Sequence, residues 1–289
     1  MGREIWKGIS KADLITYYHR VSKYILPYLK DRPLSLHVKP VNAVAPGFYI
    51  KDMEGRQPDC AELFTDQRRH PVQGKRSKID YLVCNNEATL LWMVNLGCID
   101  INPWNSRTLA ADMPDFIAID LDPSDDDAAV AQPKLIETAM AAKEYCDRKK
   151  LSASVKTSGK TGMHFFLPCS GFNNKECRSL AEQICSEIQA LAPDVSTTEN
   201  SISSRGGKVY LDPSQNDYAD TLASVYSVRP YHIPTVSTPL EWKEVNPRLE
   251  LSAFSIQYIL TRISKKGDLF RNVLDKKIIS RNNRVLAGL

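Results

Sequence analysis

The order of apolar segments between residues 113 and 212 constrains the fold more than any other feature of this sequence. Residues 115–121 form a short apolar run that ends in acids, which is typical of a buried strand. Apolar residues recur at helical spacing in two segments, one opened by Pro133 and the other at residues 175–191. Three further strand-like runs lie at residues 152–157, 163–167 and 208–211. The resulting order β-α-β-β-α-β predicts a split βαβ, RRM-like sheet with helices on one face and an open face for a substrate.

The first 112 residues predict a mixed α/β unit. Residues 11–30 have helical spacing of apolar side chains, residues 34–38 and 47–51 are strand-like, and residues 87–96 are predicted to be helical. Between them lies a predicted loop with five basic residues, Arg68, Arg69, Lys75, Arg76 and Lys78. Since no repeat or low-complexity linker interrupts the chain, we expect residues 1–289 to be one domain. Its subregions would be 1–112 and 113–289, and the second would end in basic helices.

Composition excludes several classes of protein. Apolar residues make up 43% of the chain and charged residues 25%, as in ordinary globular proteins. The longest apolar run is far shorter than the roughly 20 residues that a membrane span needs, and the chain does not open with a secretory leader. Seven cysteines without a CxxC pair fit a reducing compartment better than a disulfide framework or a zinc site. We therefore expect a cytoplasmic protein with no membrane contact.

Charge is distributed unevenly along the chain, although the net charge is only +4. Residues 1–51 hold nine basic and three acidic side chains, residues 261–285 hold eight and two, and residues 120–127 concentrate acid. Basic flanks around an acidic centre suit a polyanion held against a cation-dependent site. A solvated surface is the alternative explanation of this distribution.

Three aspartates are candidate metal ligands. Asp120 and Asp122 are two residues apart at the end of a strand, so their carboxylates project from the same face. Asp212 ends another strand, which can lie near the first in a β-α-β-β-α-β sheet. Carboxylate oxygens suit Mg²⁺ or Mn²⁺, and three of them could hold two ions for phosphoryl transfer. The alternative is that these acids cap strands or belong to loops.

Residues 158–162 (Ser-Gly-Lys-Thr-Gly) superficially resemble a phosphate-binding loop. A P-loop is excluded because Ser154 stands where the first glycine is required, and because the next residues read as a strand and not as a helix. The turn still offers backbone N–H groups, the Ser158 hydroxyl and the Lys160 ammonium to an anion. His164 follows on the next strand, either as a functional residue or as a core histidine.

Several polar residues around Asp212 are candidate phosphate ligands. They are Arg205, Lys208, Gln215 and Arg229. Arginine binds phosphate with two parallel hydrogen bonds, which favours a triphosphate clamp. Surface salt bridges are the alternative for each of them.

The longer motifs carry a resemblance to a known family. They are DFIAIDLDP, KTSGKTGMHFFLP, SRGGKVYLDPSQND, YSVRP and VSTPLEW. Together they resemble the polymerase domain of bacterial ATP-dependent DNA ligase D, in the archaeo-eukaryotic primase superfamily, and the resemblance covers nearly the whole chain. It implies a primase-polymerase fold of the α/β (α+β) class. It also implies gap filling and terminal nucleotide addition in non-homologous end joining, often with ribonucleotides and Mn²⁺, alongside Ku and a ligase domain.

The same resemblance implies residue roles. Asp120, Asp122 and Asp212 match the metal-binding carboxylates. The positions that match nucleotide ligands, for NTP or dNTP, are Ser158, His164, Arg205, Gln215 and Arg229, and the further candidates for this role are Lys160, Thr161 and Lys208. Lys11 matches a lysine that binds the 5′-phosphate of a DNA gap, and Phe48 and Tyr49 match an aromatic pair that stacks on DNA, with Lys51 beside them. For the aromatic pair, a core strand is the alternative.

The chain departs from the family pattern at several positions. Some relatives have Ser-Lys where this chain has Lys160-Thr161, which leaves open which of the two contacts phosphate. Some have a nucleotide-contacting histidine where this chain has Asn102. A second lysine for the 5′-phosphate has no clear match.

A non-catalytic module that binds DNA ends and bridges breaks is the alternative function. The three carboxylates discriminate between the two functions, because a protein that only binds DNA has no use for acids that oppose the binding of a polyanion.

Overall fold

The computed structural model describes residues 3–67, 78–125 and 127–289, and these ranges contain six α-helices and fifteen short strands. The helices are α1 (Lys11–Leu29), α2 (Glu87–Leu96), α3 (Ala128–Lys149), α4 (Asn174–Leu191), α5 (Ile256–Lys266) and α6 (Lys276–Leu286). The strands are β1 (Glu4–Trp6), β2 (Ile9–Ser10), β3 (Leu34–Val38), β4 (Phe48–Ile50), β5 (Glu62–Asp66), β6 (Ile79–Val83), β7 (Cys98–Pro103), β8 (Ser106–Arg107), β9 (Ala110–Pro114), β10 (Phe116–Pro123), β11 (Ser154–Thr157), β12 (Met163–Pro168), β13 (Ser196–Thr197), β14 (Val209–Asp212) and β15 (Pro239–Leu240).

A six-stranded sheet in the order β13-β14-β10-β12-β11-β15 forms the centre of the molecule. Its four inner strands are those predicted from the sequence, and β10 pairs antiparallel with both β12 and β14. The β-α-β-β-α-β prediction is therefore confirmed, including the prediction that the first and last of these strands are neighbours.

The two faces of this sheet differ in character because side chains alternate along each strand. Ile119, Leu121 and Phe165 are fully buried on the face that α3 and α4 cover. The residues between them, such as Asp120 and His164, point to the opposite face, where they line a pocket. The predicted division into a helix-covered face and an open face is confirmed.

A second sheet, in the order β4-β3-β7, lies across the pocket from this open face. Its register places His37 opposite Asp100 and Ser35 opposite Asn102. Helices α1 and α2 pack against each other beside it, and α1 buries the apolar stripe that the sequence predicts, including Leu14, Val21 and Ile25 among other side chains.

Local chemistry sets two helix boundaries, of which the first differs from the prediction and the second agrees with it. Helix α3 begins at Ala128 and not at Pro133, because Asp127 caps it by accepting a hydrogen bond from the Ala129 N–H, so that Pro133 lies inside the helix. Helix α2 ends where Gly97 adopts a φ of +104°, a conformation that favours glycine. Strand β7, which follows Gly97 directly, was not predicted.

Of the predicted basic loop, Arg68, Arg69, Lys75 and Arg76 lie outside the described residues. Lys78 lies just before β6 and forms an ion pair with Asp80, with 3.0 Å between Nζ and Oδ2. None of the helices in the described ranges combines the length and the apolar character that crossing a bilayer requires.

Candidate active site

The three predicted carboxylates lie on the open face of the central sheet. Asp120 on β10 is directly opposite Asp212 on β14, and Asp122 is opposite Tyr210. Residues directly opposed in an antiparallel pair point to the same face, with Cβ atoms roughly 4.5–5.5 Å apart. The pairing of β10 with β14 therefore brings together acids that are 92 residues apart in the sequence.

Asp212 and Asp122 are each hydrogen-bonded to polar neighbours. Asp212 accepts hydrogen bonds from the Ser214 N–H (2.8 Å) and from the Gln215 amide (3.1 Å). Asp122 accepts one from Arg205 Nη1 (3.2 Å). Within the ranges that the structure describes, no three His, Cys, Asp or Glu side chains converge closely enough to hold a metal ion. The carboxylates thus share a face and a neighbourhood, but they do not point at one common centre.

The electrostatics of Asp120 reflect this crowding of negative charge. Its withdrawal from solvent and the nearby carboxylates of Asp122 and Asp212 raise its pKa to about 7. Opposing contributions from Arg229 and Lys156 are smaller. A donor set made of carboxylate oxygens under mutual repulsion fits a hard divalent cation, which would relieve that repulsion.

His164 continues the same row of side chains across the sheet. It lies opposite Asp120 on β12, with 3.6 Å between Nε2 and Oδ1, and it is almost fully buried. On its other side, Lys156 of β11 lies opposite it and approaches Nδ1 to 2.7 Å. Four adjacent strands therefore carry the row Asp212, Asp120, His164 and Lys156. Sequence analysis did not single out Lys156, although a lysine in the middle of a buried strand is itself a signal.

The Ser-Gly-Lys-Thr-Gly turn joins β11 to β12. Ser158 Oγ accepts hydrogen bonds from the N–H groups of Lys160 and Gly162, both at 3.1 Å, which folds the turn around the hydroxyl. Lys160 and Thr161 are exposed at its tip. The segment after the turn is the strand β12, which agrees with the exclusion of a P-loop.

A glycine is required at the turn because Arg229 passes beside it. Gly159 has a φ of +78°, and a Cβ there would lie 2.4 Å from Arg229 Cγ. The turn and Arg229 are therefore packed as one unit, and Thr235 supports it by donating to the Gly159 carbonyl (2.5 Å).

Arg229 is paired with an acid that sequence analysis missed. Asp100 on β7 is 1% exposed, and its Oδ2 lies 3.5 Å from Arg229 Nε and 3.8 Å from His37 Nδ1. Burial tends to raise the pKa of Asp100, but Arg229 and His37 outweigh it, so the pKa is lowered. The acid interrupts an apolar run in the sequence, but its partner is 129 residues away and only the fold reveals it.

The remaining phosphate candidates are placed in different ways. Arg205 lies over the Tyr210 ring, 4.1 Å from its centroid, and also donates to two backbone carbonyls besides Asp122. Lys208 donates to the Pro193 carbonyl (2.7 Å) near the β13 edge of the sheet, so its ammonium is not directed at the other candidates. Gln215 lies next to Asp212 and lines the pocket.

A pocket of about 410 Å³ lies between the two sheets. The candidates that line it are Tyr49, Lys51, Asp120, His164, Gln215 and Arg229. Asn102 also lines it, at the position where some relatives have histidine. The fold thus gathers metal, nucleotide and DNA candidates around one cavity.

The predicted DNA contacts lie at the rim of the molecule. Phe48 and Tyr49 are 52% and 59% exposed, which excludes the alternative that they form a core strand. Tyr49 stacks on His37, with ring centroids 4.4 Å apart. Lys11 is the half-buried first residue of α1. The hairpin that precedes it is attached to the loop after Arg229 by a hydrogen bond from the Trp6 indole to the Tyr231 carbonyl (2.8 Å).

Comparison with known proteins agrees with this architecture. The family described as LigD, primase-polymerase domain, matches residues 10–270. The bifunctional non-homologous end joining protein LigD of Bacillus subtilis (strain 168) is 31% identical over 277 residues, covering 93% of this chain and 43% of that protein. The multifunctional non-homologous end joining protein LigD of Mycolicibacterium smegmatis is 26% identical over 265 residues, covering 91% of this chain and 34% of that protein. The chain thus spans less than half the length of these relatives.

A solved structure shows the same fold. The polymerase domain from Mycobacterium tuberculosis ligase D, in complex with DNA, matches with a TM-score of 0.83 at 24% sequence identity. The match covers 94% of this chain and 95% of that one. With the match of the family along most of its length, the chain belongs to the LigD primase-polymerase domain family.

Proposed function

We propose that this chain is a nucleotidyltransferase that adds nucleotides to the 3′-hydroxyl of DNA ends, filling gaps and extending termini in bacterial non-homologous end joining. One observation carries the proposal: Asp120 lies opposite Asp212 on the neighbouring strand and opposite His164 on the other side, and it lines a pocket with His164, Gln215 and Arg229. Carboxylates in such a place oppose the binding of DNA, so they are explained by catalysis better than by binding alone.

Two divalent cations, Mn²⁺ or Mg²⁺, are the cofactors that we propose, with Asp120, Asp122 and Asp212 as their ligands. The oxygen donors and the raised pKa of Asp120 support this assignment. Since Asp122 is hydrogen-bonded to Arg205, it would have to leave that arginine to join the other two carboxylates. When bound, such ions activate the attacking hydroxyl and neutralise charge on the leaving oxygens.

Positive groups around the pocket are proposed to bind the triphosphate of an NTP or dNTP. The turn at residues 158–162 offers N–H groups and the Lys160 ammonium, and Arg229 is packed against the same turn. Arg205 becomes available to phosphate once Asp122 leaves it, and its fork suits bidentate contacts. Ser158 orders the turn through its accepted hydrogen bonds while its own O–H remains able to donate.

DNA is proposed to bind along the rim formed by β4 and the start of α1. The exposed rings of Phe48 and Tyr49 suit stacking on bases, and exposed Lys51 lies at the pocket entrance. Lys11 is the proposed ligand of a 5′-phosphate across a gap. These contacts would place the 3′-hydroxyl of the upstream strand at the carboxylates.

Three finer features of the proposal are supported by family resemblance and not by particular residues. They are a preference for ribonucleotides over deoxyribonucleotides, cooperation with Ku, and a ligase domain in the same or a separate chain. The names of the relatives place them in non-homologous end joining, which agrees with action on the ends of broken DNA in the bacterial cytoplasm. Equal or higher kcat/KM for dNTPs would contradict the first of these.

The test is incorporation of a labelled nucleotide into gapped DNA with a 5′-phosphate. We expect incorporation with Mn²⁺ or Mg²⁺ and none with a chelator, and we expect Asp147→Asn, which changes an exposed acid on α3, to behave as wild type. DNA binding without incorporation under any metal condition would contradict the proposal and would favour the end-bridging module instead.

A further inference from the structure

Asp100 is a buried acid that has no role in the proposed chemistry. It lies on β7 with 1% of its surface exposed, in a cross-strand row of the second sheet that continues through His37 to Tyr49. A carboxylate is costly to bury unless a cation accompanies it. In the described ranges the nearest permanent cation is Arg229, whose Nε lies 3.5 Å from Asp100 Oδ2. The ion pair explains how the acid is tolerated, and it also places a negative charge against one edge of the guanidinium.

Arg229 is fixed at its stem and at that edge. Its backbone N–H donates to the Thr235 carbonyl (2.9 Å), and its Cγ packs so closely on Gly159 that a Cβ there would lie 2.4 Å away. Asp100 approaches the Nε edge from the N-terminal sheet. Neither Nη group hydrogen-bonds to a residue of the described ranges or is buried without a partner, and Arg229 lines the pocket. The two Nη groups are therefore the part of the side chain that a ligand can reach.

Arg205 shows the arrangement that Arg229 avoids. Its Nη1 donates to Asp122 Oδ2 (3.2 Å), so its ion-pair partner is itself a proposed metal ligand. An arginine bound in this way must leave its carboxylate before it can bind phosphate. Arg229 lines the same pocket as Asp120 but is not within ion-pair distance of it, and its partner is Asp100 instead.

We propose that Asp100 is a positioning residue that holds Arg229 away from Asp120, so that both Nη groups remain available to an anionic oxygen of the bound triphosphate. The last part of this inference rests on the proposed function. Without the Asp100 carboxylate the guanidinium loses its counter-ion, and Asp120 is a carboxylate of the same pocket with which it can pair. Arg229 would then be withdrawn from the triphosphate, as Arg205 is by Asp122.

Crystal structures of the wild type and of Asp100→Asn, both without nucleotide, measure the placement of Arg229 directly. Asparagine has nearly the same shape as aspartate, so the substitution removes the charge with little change in packing. We expect the guanidinium beside residue 100 in the wild type and beside Asp120 in the variant. An arginine paired with Asp120 in the wild type would overturn the inference, even if the variant failed to fold. An arginine that keeps its position in the variant would overturn it as well.

The affinity for a nonhydrolysable ATP analogue with Mg²⁺, measured by isothermal titration calorimetry, tests the consequence. If the charge of Asp100 acted only at a distance, removing it should strengthen the binding of an anion. We expect the opposite, a loss of about tenfold in Asp100→Asn, because the arginine is withdrawn from the triphosphate. An affinity that is unchanged or higher would contradict the inference.

Two further variants separate positioning from a general loss of structure. In Arg229→Met, which has no guanidinium to position, adding Asp100→Asn should not lower the affinity further. Equal losses in both backgrounds would show a purely structural acid. The matched control is Asp115→Asn, which removes the acid beside the buried Arg32. Neither of these two residues lines the pocket, so the control should bind the analogue as the wild type does.

The two measurements also separate this inference from the proposed function. A wild type that binds no ATP analogue would contradict the proposed function, whereas the crystal structures would still test the placement of Arg229. A wild type that binds the analogue, together with an Asp100→Asn variant that binds it equally well, would contradict the inference alone.

Discussion

The two faces of the central sheet use the same strands for different purposes. On one face, Leu121 and Phe165 pack against helices and are fully buried in the core. On the other, Asp120 and His164 alternate with them along the same strands and line the pocket. Neighbouring residues of one strand point to opposite faces. Substitutions at two adjacent positions can therefore test stability and nucleotide addition separately.

The charged groups divide in a similar way. On the open face, Asp120 lies among other acids and its pKa is raised, whereas Glu244 lies beside Arg262 and Lys266 and its pKa is lowered to about 2. The charge of Glu244 is thus compensated by cations, whereas that of Asp120 is opposed by neighbouring carboxylates. Uncompensated charge persists where a ligand is expected to supply the compensation.

The largest effect that we expect on ligand binding is the loss of metal binding on the open face. We predict that Asp212→Asn weakens Mn²⁺ binding by more than about a hundredfold, because removing a group that merely orients a ligand already costs roughly 10–100-fold. DNA binding should be unchanged or stronger, since a negative charge near the DNA is removed. Electron paramagnetic resonance of free Mn²⁺ measures the affinity for the metal, and fluorescence anisotropy with labelled gapped DNA measures the affinity for DNA. Unchanged Mn²⁺ affinity would remove Asp212 from the ligand set.

For a substitution on the helix-covered face, we predict a loss of stability and no loss of nucleotide incorporation. Phe165→Ala removes a fully buried ring and should lower the free energy of unfolding by about 3–5 kcal/mol. Denaturant unfolding measures this, and incorporation per folded molecule should remain near wild type. If incorporation fell although the folded fraction was restored at low temperature, the separation of the two faces would be wrong.

End recognition should show an intermediate effect, at the rim and on neither face. Gapped DNA with a 5′-phosphate should bind on the order of tenfold to a hundredfold better than the same DNA with a 5′-hydroxyl at low salt. Added salt should reduce the preference by screening. Lys11→Ala should remove most of it, whereas Lys23→Ala on the same helix should not. An unchanged ratio of affinities in Lys11→Ala would show that Lys11 is only a surface lysine.

The smallest expected effect concerns a compensated charge. Arg262 and Lys266 hold the folded-state pKa of Glu244 at about 2, below its ordinary value of 4.5. The resulting stability is present above pH 4.5 and is lost as the pH falls toward 2. Glu244→Gln should therefore cost about 1 kcal/mol at pH 7, after allowance for solvent screening, and almost nothing near pH 2. Thermal unfolding across this pH range tests this prediction, and Glu137→Gln, which changes an exposed acid, is the control. A cost in stability that does not depend on pH would exclude the ion pairs of Glu244 as the source of that stability.

The comparison of faces also explains what could be predicted from the sequence. Side chains alternate between the two faces along β10, which is a local property of the strand. The spacing of Asp120 and Asp122 therefore predicts that they share one face and that helices cover the other. The association of Arg229 with Asp100 could not be predicted, because it depends on which strands of the N-terminal sheet pair and on how that sheet lies across the pocket. The contacts of Lys156 with Ala223 and Ser237, in the segment between β14 and β15, were equally hidden because these residues are far from it in the sequence.

We propose that the open face performs nucleotide addition, while the covered face only supports the fold. Incorporation into gapped DNA by Asp120→Asn and by Leu121→Ala, each corrected for the folded fraction, tests this with two adjacent residues of β10. We predict that incorporation by Asp120→Asn falls roughly a thousandfold or more, since metal-bound charge stabilisation is worth several kcal/mol, while incorporation by Leu121→Ala stays within about threefold of wild type. Incorporation by Asp120→Asn close to that of wild type, in the presence of Mn²⁺, would contradict it.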